Sequence, residues 1–244
     1  MNPGRTLATA GRVLTQVRHD PRTIALLLVV PSLLIGLLAW IFADTEVFNT
    51  IGPAMIALFP FIVMFLITSI TTLRERRTGT LERLLSMPLG RGDLIMGYTL
   101  AFGLLAILQS AIAVGFAVWV CGLEIAGSIW LLLLVAVADA VLGTTLGLLA
   151  SAFANTEFQV VQFMPALVFP QILLGGIFLA RDQLPDVLRE ISDWLPLSHA
   201  IDALQAVAAD SQDAAWIGGE LLILLAWIVG AIVLGSITLR RRTP

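Results

Sequence analysis

The sequence predicts an all-α integral membrane protein with six transmembrane helices, and three observations lead there. Hydrophobic residues make up 58% of the 244 residues and charged residues only 13%, with a mean hydropathy of +0.95. That lies outside the range of water-soluble domains. Six stretches are long and apolar enough to cross a bilayer, which takes roughly 20 residues apiece. The arginines lie between and beyond these stretches, almost all on one side.

Residues 6–19 can form an amphipathic interfacial helix, with Leu7, Ala10, Leu14 and Val17 on one side and Arg12, Gln16 and His19 on the other. Its arginines would sit near anionic headgroups, and Asp20-Pro21 ends it. The spans follow at residues 24–43, 51–73, 94–120, 129–153, 158–179 and 217–239. Pro31 and Pro60 can bend the first two. Pro165 and Pro170 interrupt the fifth and Gly175-Gly176 loosens its end, so a broken or kinked helix is expected there. The first apolar run exceeds a signal-peptide core of about 7–15 residues and no small-x-small site follows, so it is expected to be kept as a span.

All 14 basic residues are arginine. Arg5, Arg12, Arg18 and Arg22 precede the first span, five more lie between the second and third, and Arg240, Arg241 and Arg242 follow the sixth. The opposite side holds only Arg181 and Arg189 among many acids. The positive-inside rule then predicts a multi-pass membrane protein with both termini cytoplasmic, and the membrane expected is the bacterial plasma membrane. Trp40, Trp119, Trp130, Trp194 and Trp216 fall near the outer span ends, as an interfacial belt would place them, and Trp227 lies mid-span. The lone Cys121 excludes an intramolecular disulfide, and His19 and His199 lack ligand spacing. No metal, cofactor, catalytic residue or nucleic-acid partner is expected.

The charged island at residues 74–93 has internal order. Arg74, Arg76 and Arg77 carry the second span into water, Gly79 permits a turn, and Leu81, Leu84 and Leu85 recur at helical spacing while Glu82 and Arg83 face elsewhere. Pro88 stops this short helix, and Asp93 is placed to cap the next one. A short helix with one apolar and one charged face, held by two spans, suits docking of a cytoplasmic partner.

The run Glu75-Arg-Arg-Thr-Gly79-Thr80-Leu-Glu82-Arg83-Leu84-Leu-Ser-Met-Pro88 resembles the E-x-x-x-G-T-x-E-x-L-x-x-x-P segment of ABC-2-type transporter permeases. Gly176-Ile-Phe178, Leu184-Pro185 and Leu195-Pro196-Leu-Ser-His-Ala-Ile-Asp-Ala-Leu add to the likeness, which covers essentially the whole chain as one permease domain, residues 1–244. Within the family the chain is most similar to the daunorubicin-resistance, drug-export branch. The resemblance implies a transport subunit paired with a second permease chain, identical or related, and with two cytoplasmic ATPase subunits that hold ATP and Mg2+. It also implies that residues 79–88 form the coupling helix, with Glu75 and Glu82 meeting the ATPase or bracing the amino-terminal helix. In agreement, these 244 residues contain no G-x-x-x-x-G-K-[ST] loop, so the chain is no ATPase by itself.

Within the membrane, Asp139 heads a stripe at four-residue intervals, Asp139-Gly143-Gly147-Ser151. A carboxylate in a span should face protein or water, and small residues let another helix approach, so the stripe marks either the pathway or a packing seam. Gln159 and Gln162 share a face near the start of the fifth span, with Phe163, Met164 and Phe169 as adaptable apolar surface, again for pathway or packing. Outside, residues 180–216 hold an apolar stripe of Leu184, Val187, Leu188, Ile191, Trp194 and Leu195. The resemblance suggests short helices that dip back and cap the route, with Pro185, Trp194 and Pro196 in this outer gate segment; a helix lying on the surface without gating duty is the competing reading.

The function expected is therefore export of hydrophobic or amphipathic drugs, antibiotics or lipids by alternating access. Two other classes are a membrane-embedded lipid-modifying enzyme, for which no H-E-x-x-H or G-x-S-x-G constellation is found, and a non-transporting membrane scaffold or sensor.

Overall fold

The computed structural model describes residues 3–43, 45–78 and 90–238, and among these every regular element is helical. Helix α1 (Pro3–Arg18) is followed by α2 (Pro21–Ile41), α3 (Val47–Arg77), α4 (Arg91–Gly115), α5 (Ile129–Phe153), α6 (Glu157–Leu174), α7 (Asp186–Asp193), α8 (Pro196–Ala209) and α9 (Ala214–Thr238). Six of them, α2 to α6 and α9, are long and apolar enough to cross a membrane. One end of the bundle carries the arginines of α1 and α3; the other carries most of the tryptophans.

Asp20 separates α1 from α2 by chemistry visible in the sequence. Its Oδ1 accepts hydrogen bonds from the Arg22 and Thr23 amides, and Pro21 starts α2 where a missing amide costs nothing. Bonding to Thr23 holds the Asp20 carboxyl below its usual range. At α4 the expectation needs correcting. Gly90 is the capping residue, and Asp93 sits one turn in, reaching back with Oδ2 to accept the Gly90 amide at 3.3 Å.

The fifth span is also simpler than expected. Helix α6 runs through both Pro165 and Pro170 without a break, forgoing two backbone donors, and ends at Leu174, short of residue 179. The chain turns at Gly175-Gly176, where Gly176 adopts φ +82, a conformation open to glycine. Helix α4 instead ends in a wide turn, Phe116–Val120, closed by the Cys121 amide on the Phe116 carbonyl.

The buried face of α1 is Thr6, Thr9, Ala10, Val13 and Val17, rotated from the one read in the sequence, and Leu7 is 64% exposed. Gly97 on α4 is the cause. A methyl group there would meet the Thr9 side chain at 2.6 Å, so the helices approach over small residues and the bulky Leu7 turns out.

Among the described residues, two large apolar clusters fill most of the bundle. Toward the arginine end, α1 and α2 pack on α3 and α4 through Val13, Val17, Leu27, Met64, Leu94, Tyr98 and Phe102. Toward the tryptophan end, α8 inserts among the spans through Leu197, Ala200, Ile201 and Leu204, against residues of α3 and α5 such as Ile56, Phe61 and Leu132. Apolar side chains also cover the outside: Leu26, Val29, Leu33 and Leu37 on α2, and Leu222, Leu225, Val229 and Val233 on α9. Such a surface is stable against hydrocarbon and not against water. Trp40, Trp119, Trp130 and Trp194 are all more than 70% exposed, ready to sit at an interface.

Candidate functional site

At the arginine end three helices are tied by one charged cluster. Arg12 of α1 donates from Nη1 to Glu75 Oε1 and from Nη2 to Glu75 Oε2, each at 3.0 Å, and from Nη2 to the Tyr98 hydroxyl at 2.9 Å. The Tyr98 hydroxyl donates in turn to Glu75 Oε2. Glu75 is only 6% exposed, yet its charge is answered by a planar guanidinium and a phenol, as a buried carboxylate requires. Arg12 thus leaves the headgroup side of α1 where the sequence reading put it. On either side of Glu75, Arg74 holds Glu157 at the start of α6 at 2.8 Å, and Arg76 bonds the Ser151 carbonyl at the end of α5. The last turn of α3 is therefore fastened to α1, α4, α5 and α6 just before the segment singled out for coupling. Gly79, Thr80, Glu82, Arg83, Leu84 and Pro88 of that segment lie outside the described residues.

The stripe on α5 faces α3. A methyl group at Gly143 would stand 2.6 Å from the Phe61 carbonyl oxygen, and one at Gly147 2.5 Å from that of Phe65, so the backbones touch along this seam. Asp139 continues it, fully buried, and neither carboxylate oxygen finds a hydrogen-bond partner among the described residues. Gln109 on α4 is buried and equally unpaired. The glutamines of α6 do other things: Gln159 accepts the Asn155 amide at 2.7 Å and so closes the turn into the helix, while Gln162 and Phe169 point outward and Phe163 packs beside Leu73 and Val160. Gln171, which the sequence offers for lining a route or bonding between helices, does bond between helices, its Oε1 accepting the Leu197 amide of α8 at 3.1 Å.

At the tryptophan end, α7 is amphipathic in an inverted sense. Ser192 is buried and donates to the Leu174 carbonyl at 2.7 Å, whereas Val187, Ile191 and Trp194 are exposed. Pro185 precedes the first turn of α7 and Pro196 opens α8, so both prolines mark joints. Helix α8 returns into the bundle, while α7 lies along its surface. Arg181 joins them, bonding Asp193 at the end of α7 and Asp202 on α8. Burial pushes the Asp202 carboxyl up, against the pull of Arg181. His199 lies between α7 and α9, with Nδ1 2.5 Å from Glu220 Oε2 and Nε2 2.9 Å from the Asp193 carbonyl; the bond to Glu220 raises its pKa. Beside this network opens a cleft of about 840 Å³, lined by Glu46, Asn49, Glu124, Phe178, Asp202 and Trp216 among others. Sequence reasoning missed these pairs because their partners lie far apart along the chain.

Comparison with known proteins fits this architecture. A 24% identical relative, "ABC transporter G family member 20" of Dictyostelium discoideum, aligns over 203 residues, 82% of this chain and 28% of the relative. The "Probable multidrug ABC transporter permease YbhR" of Escherichia coli strain K12 is 27% identical over 155 residues, 64% of this chain and 42% of its own length. The "Inner membrane transport permease YhhJ" of the same strain is 27% identical over 142 residues, 58% of this chain and 38% of its length. The chain thus aligns with less than half the length of each of these relatives. The family model described as ABC-2 type transporter matches residues 6–208, from the first buried residue of α1 to the end of α8. With the match spanning α1, five of the six candidate spans and the inserted helix α8, the chain belongs to the ABC-2 type transporter family.

Proposed function

We propose that this chain is the membrane permease subunit of an ATP-driven exporter that moves hydrophobic or amphipathic compounds, in the manner of the drug-export branch. The observation that carries the reading is the fastening of α1, α4, α5 and α6 to the last turn of α3, immediately before residues 79–88. Force applied to that segment by a partner would be passed into the span bundle through Arg12, Glu75 and Arg74 and would not be lost in a loose loop. Residues 79–88 are the handle, two cytoplasmic ATPase subunits that bind ATP and Mg2+ supply the force, and a second permease chain completes the pathway. The membrane is the plasma membrane, with the arginine end and both termini in the cytoplasm.

The substrate class is supported by the apolar character of the spans and by the "probable multidrug" names of distant relatives. Asp139 belongs to the α3–α5 packing seam, and the cleft beside Arg181 and Asp202 is the exit vestibule on the far side. The test is co-reconstitution of this chain with an ABC ATPase encoded beside it, in liposomes loaded with a hydrophobic fluorescent dye. ATP-dependent dye movement that stops when the ATPase loses its P-loop lysine supports the reading; movement indifferent to ATP refutes it.

A further inference from the structure

We propose that His199 and Glu220 hold one extra proton between them, as imidazolium and carboxylate, and that this proton latches α8 to α9 and to the end of α7. The inference does not rest on the transport reading. It comes from the motif around His199, to which the proposed function gives no task, and from a count of donors. The imidazole is 7% exposed and both its nitrogens meet acceptors: Nδ1 faces Glu220 Oε2 at 2.5 Å and Nε2 faces the Asp193 carbonyl oxygen at 2.9 Å. A carbonyl only accepts, so Nε2 carries a hydrogen. An ionised carboxylate only accepts, so Nδ1 must carry one too. A neutral imidazole has a single N–H and fails at one of the two contacts. Since an imidazole is about two units more basic than a carboxyl group in water, the proton that completes the set resides on the ring.

Glu220 on α9 is the nearest charge and favours the imidazolium; Asp202 on α8 adds to it; Arg181, from the turn before α7, opposes it and meanwhile engages the Asp193 carboxylate. The balance keeps the His199 proton above the ordinary value of 6.5 despite burial. The sign follows. The latch is fully present below the unfolded-state value and is lost as pH rises through the raised folded-state value, when the proton leaves to water and two acceptors face each other in a half-dry site. Helix α8 then keeps only one of its two polar ties, to α9 or to the end of α7, along with its apolar contacts, which makes the tryptophan-end segment a pH-sensitive lock.

The test uses the full chain in lipid nanodiscs with ring-15N-labelled histidine. Only His19 and His199 report, and His199→Gln assigns them. The expected result is a His199 that is still mostly doubly protonated at pH 6.5, with a titration midpoint above that ordinary histidine value. Amide exchange in residues 196–209, corrected for intrinsic pH dependence, should rise at least about tenfold as pH passes that midpoint. In Glu220→Gln the midpoint should fall to the ordinary histidine range or below, and the exchange step should vanish. A His199 midpoint at or below 6.5, a midpoint unmoved by Glu220→Gln, or exchange that ignores the midpoint would each overturn the latch.

Discussion

Arg12 and Glu75, 63 residues apart, meet through two parallel hydrogen bonds of 3.0 Å, and Tyr98 closes the third side of the cluster. Removing one member leaves the others short of a partner. Glu75→Gln is expected to destabilise the chain by about 1–3 kcal/mol, the lower half of the range being favoured because the Arg12 side chain is 27% exposed and water recovers part of the loss. Thermal unfolding in nanodiscs measures it. The double variant Arg12→Leu with Glu75→Leu should recover most of the loss, since neither charge is then stranded.

Along the α3–α5 seam, Gly147→Ala should cost about 1–3 kcal/mol although alanine is the better helix former, because its methyl would stand 2.5 Å from the Phe65 carbonyl oxygen. Gly230→Ala, with open space around it, should be neutral or slightly stabilising. Equal melting shifts for the two would show that the seam is looser than described.

Asp139→Leu should leave stability unchanged or raise it, because an unpaired buried carboxyl is replaced by an apolar group of similar bulk. A lower melting temperature for Asp139→Leu than for Asp139→Asn would reveal a polar partner for this residue in the working protein.

Replacing Arg181 removes the cation shared by Asp193 and Asp202. Burial already holds the Asp202 carboxyl above its usual range, and loss of Arg181 pushes it further up. A raised folded-state value means that stability is present at low pH and lost as pH rises through it. Arg181→Gln should therefore be destabilised more at pH 8 than at pH 5, as melting curves at the two pH values would show.

The spans were legible because runs of twenty apolar residues admit few alternatives, and Asp20-Pro21 announced the α1–α2 joint through capping chemistry that acts within three residues. The face of α1 was misread because Gly97, ninety residues on, decides it by admitting Thr9 and not Leu7. Proline signals overstated the break in α6, since two lost donors do not stop a helix of this length. The glycines below Asp139 suggested close packing, yet the sequence could not name Phe61 and Phe65 as what they touch. Glu75 carried two roles in the sequence reading, and only the fold brings Arg12 and Tyr98 to it. His199 was visible as part of a motif but chemically silent until Glu220 was placed beside it.

The most direct test of the central claim is ATP hydrolysis by the chain co-purified with a neighbouring ABC ATPase in lipid nanodiscs, comparing the native protein with Glu82→Arg and monitoring assembly in parallel. The account predicts a stable complex with lipid-dependent ATP turnover for the native chain, and loss of assembly or turnover when the charge on the handle is reversed. Failure of any ABC ATPase to associate with the folded native chain would contradict the permease reading. Full activity of Glu82→Arg would contradict the assignment of residues 79–88 as the point where force enters.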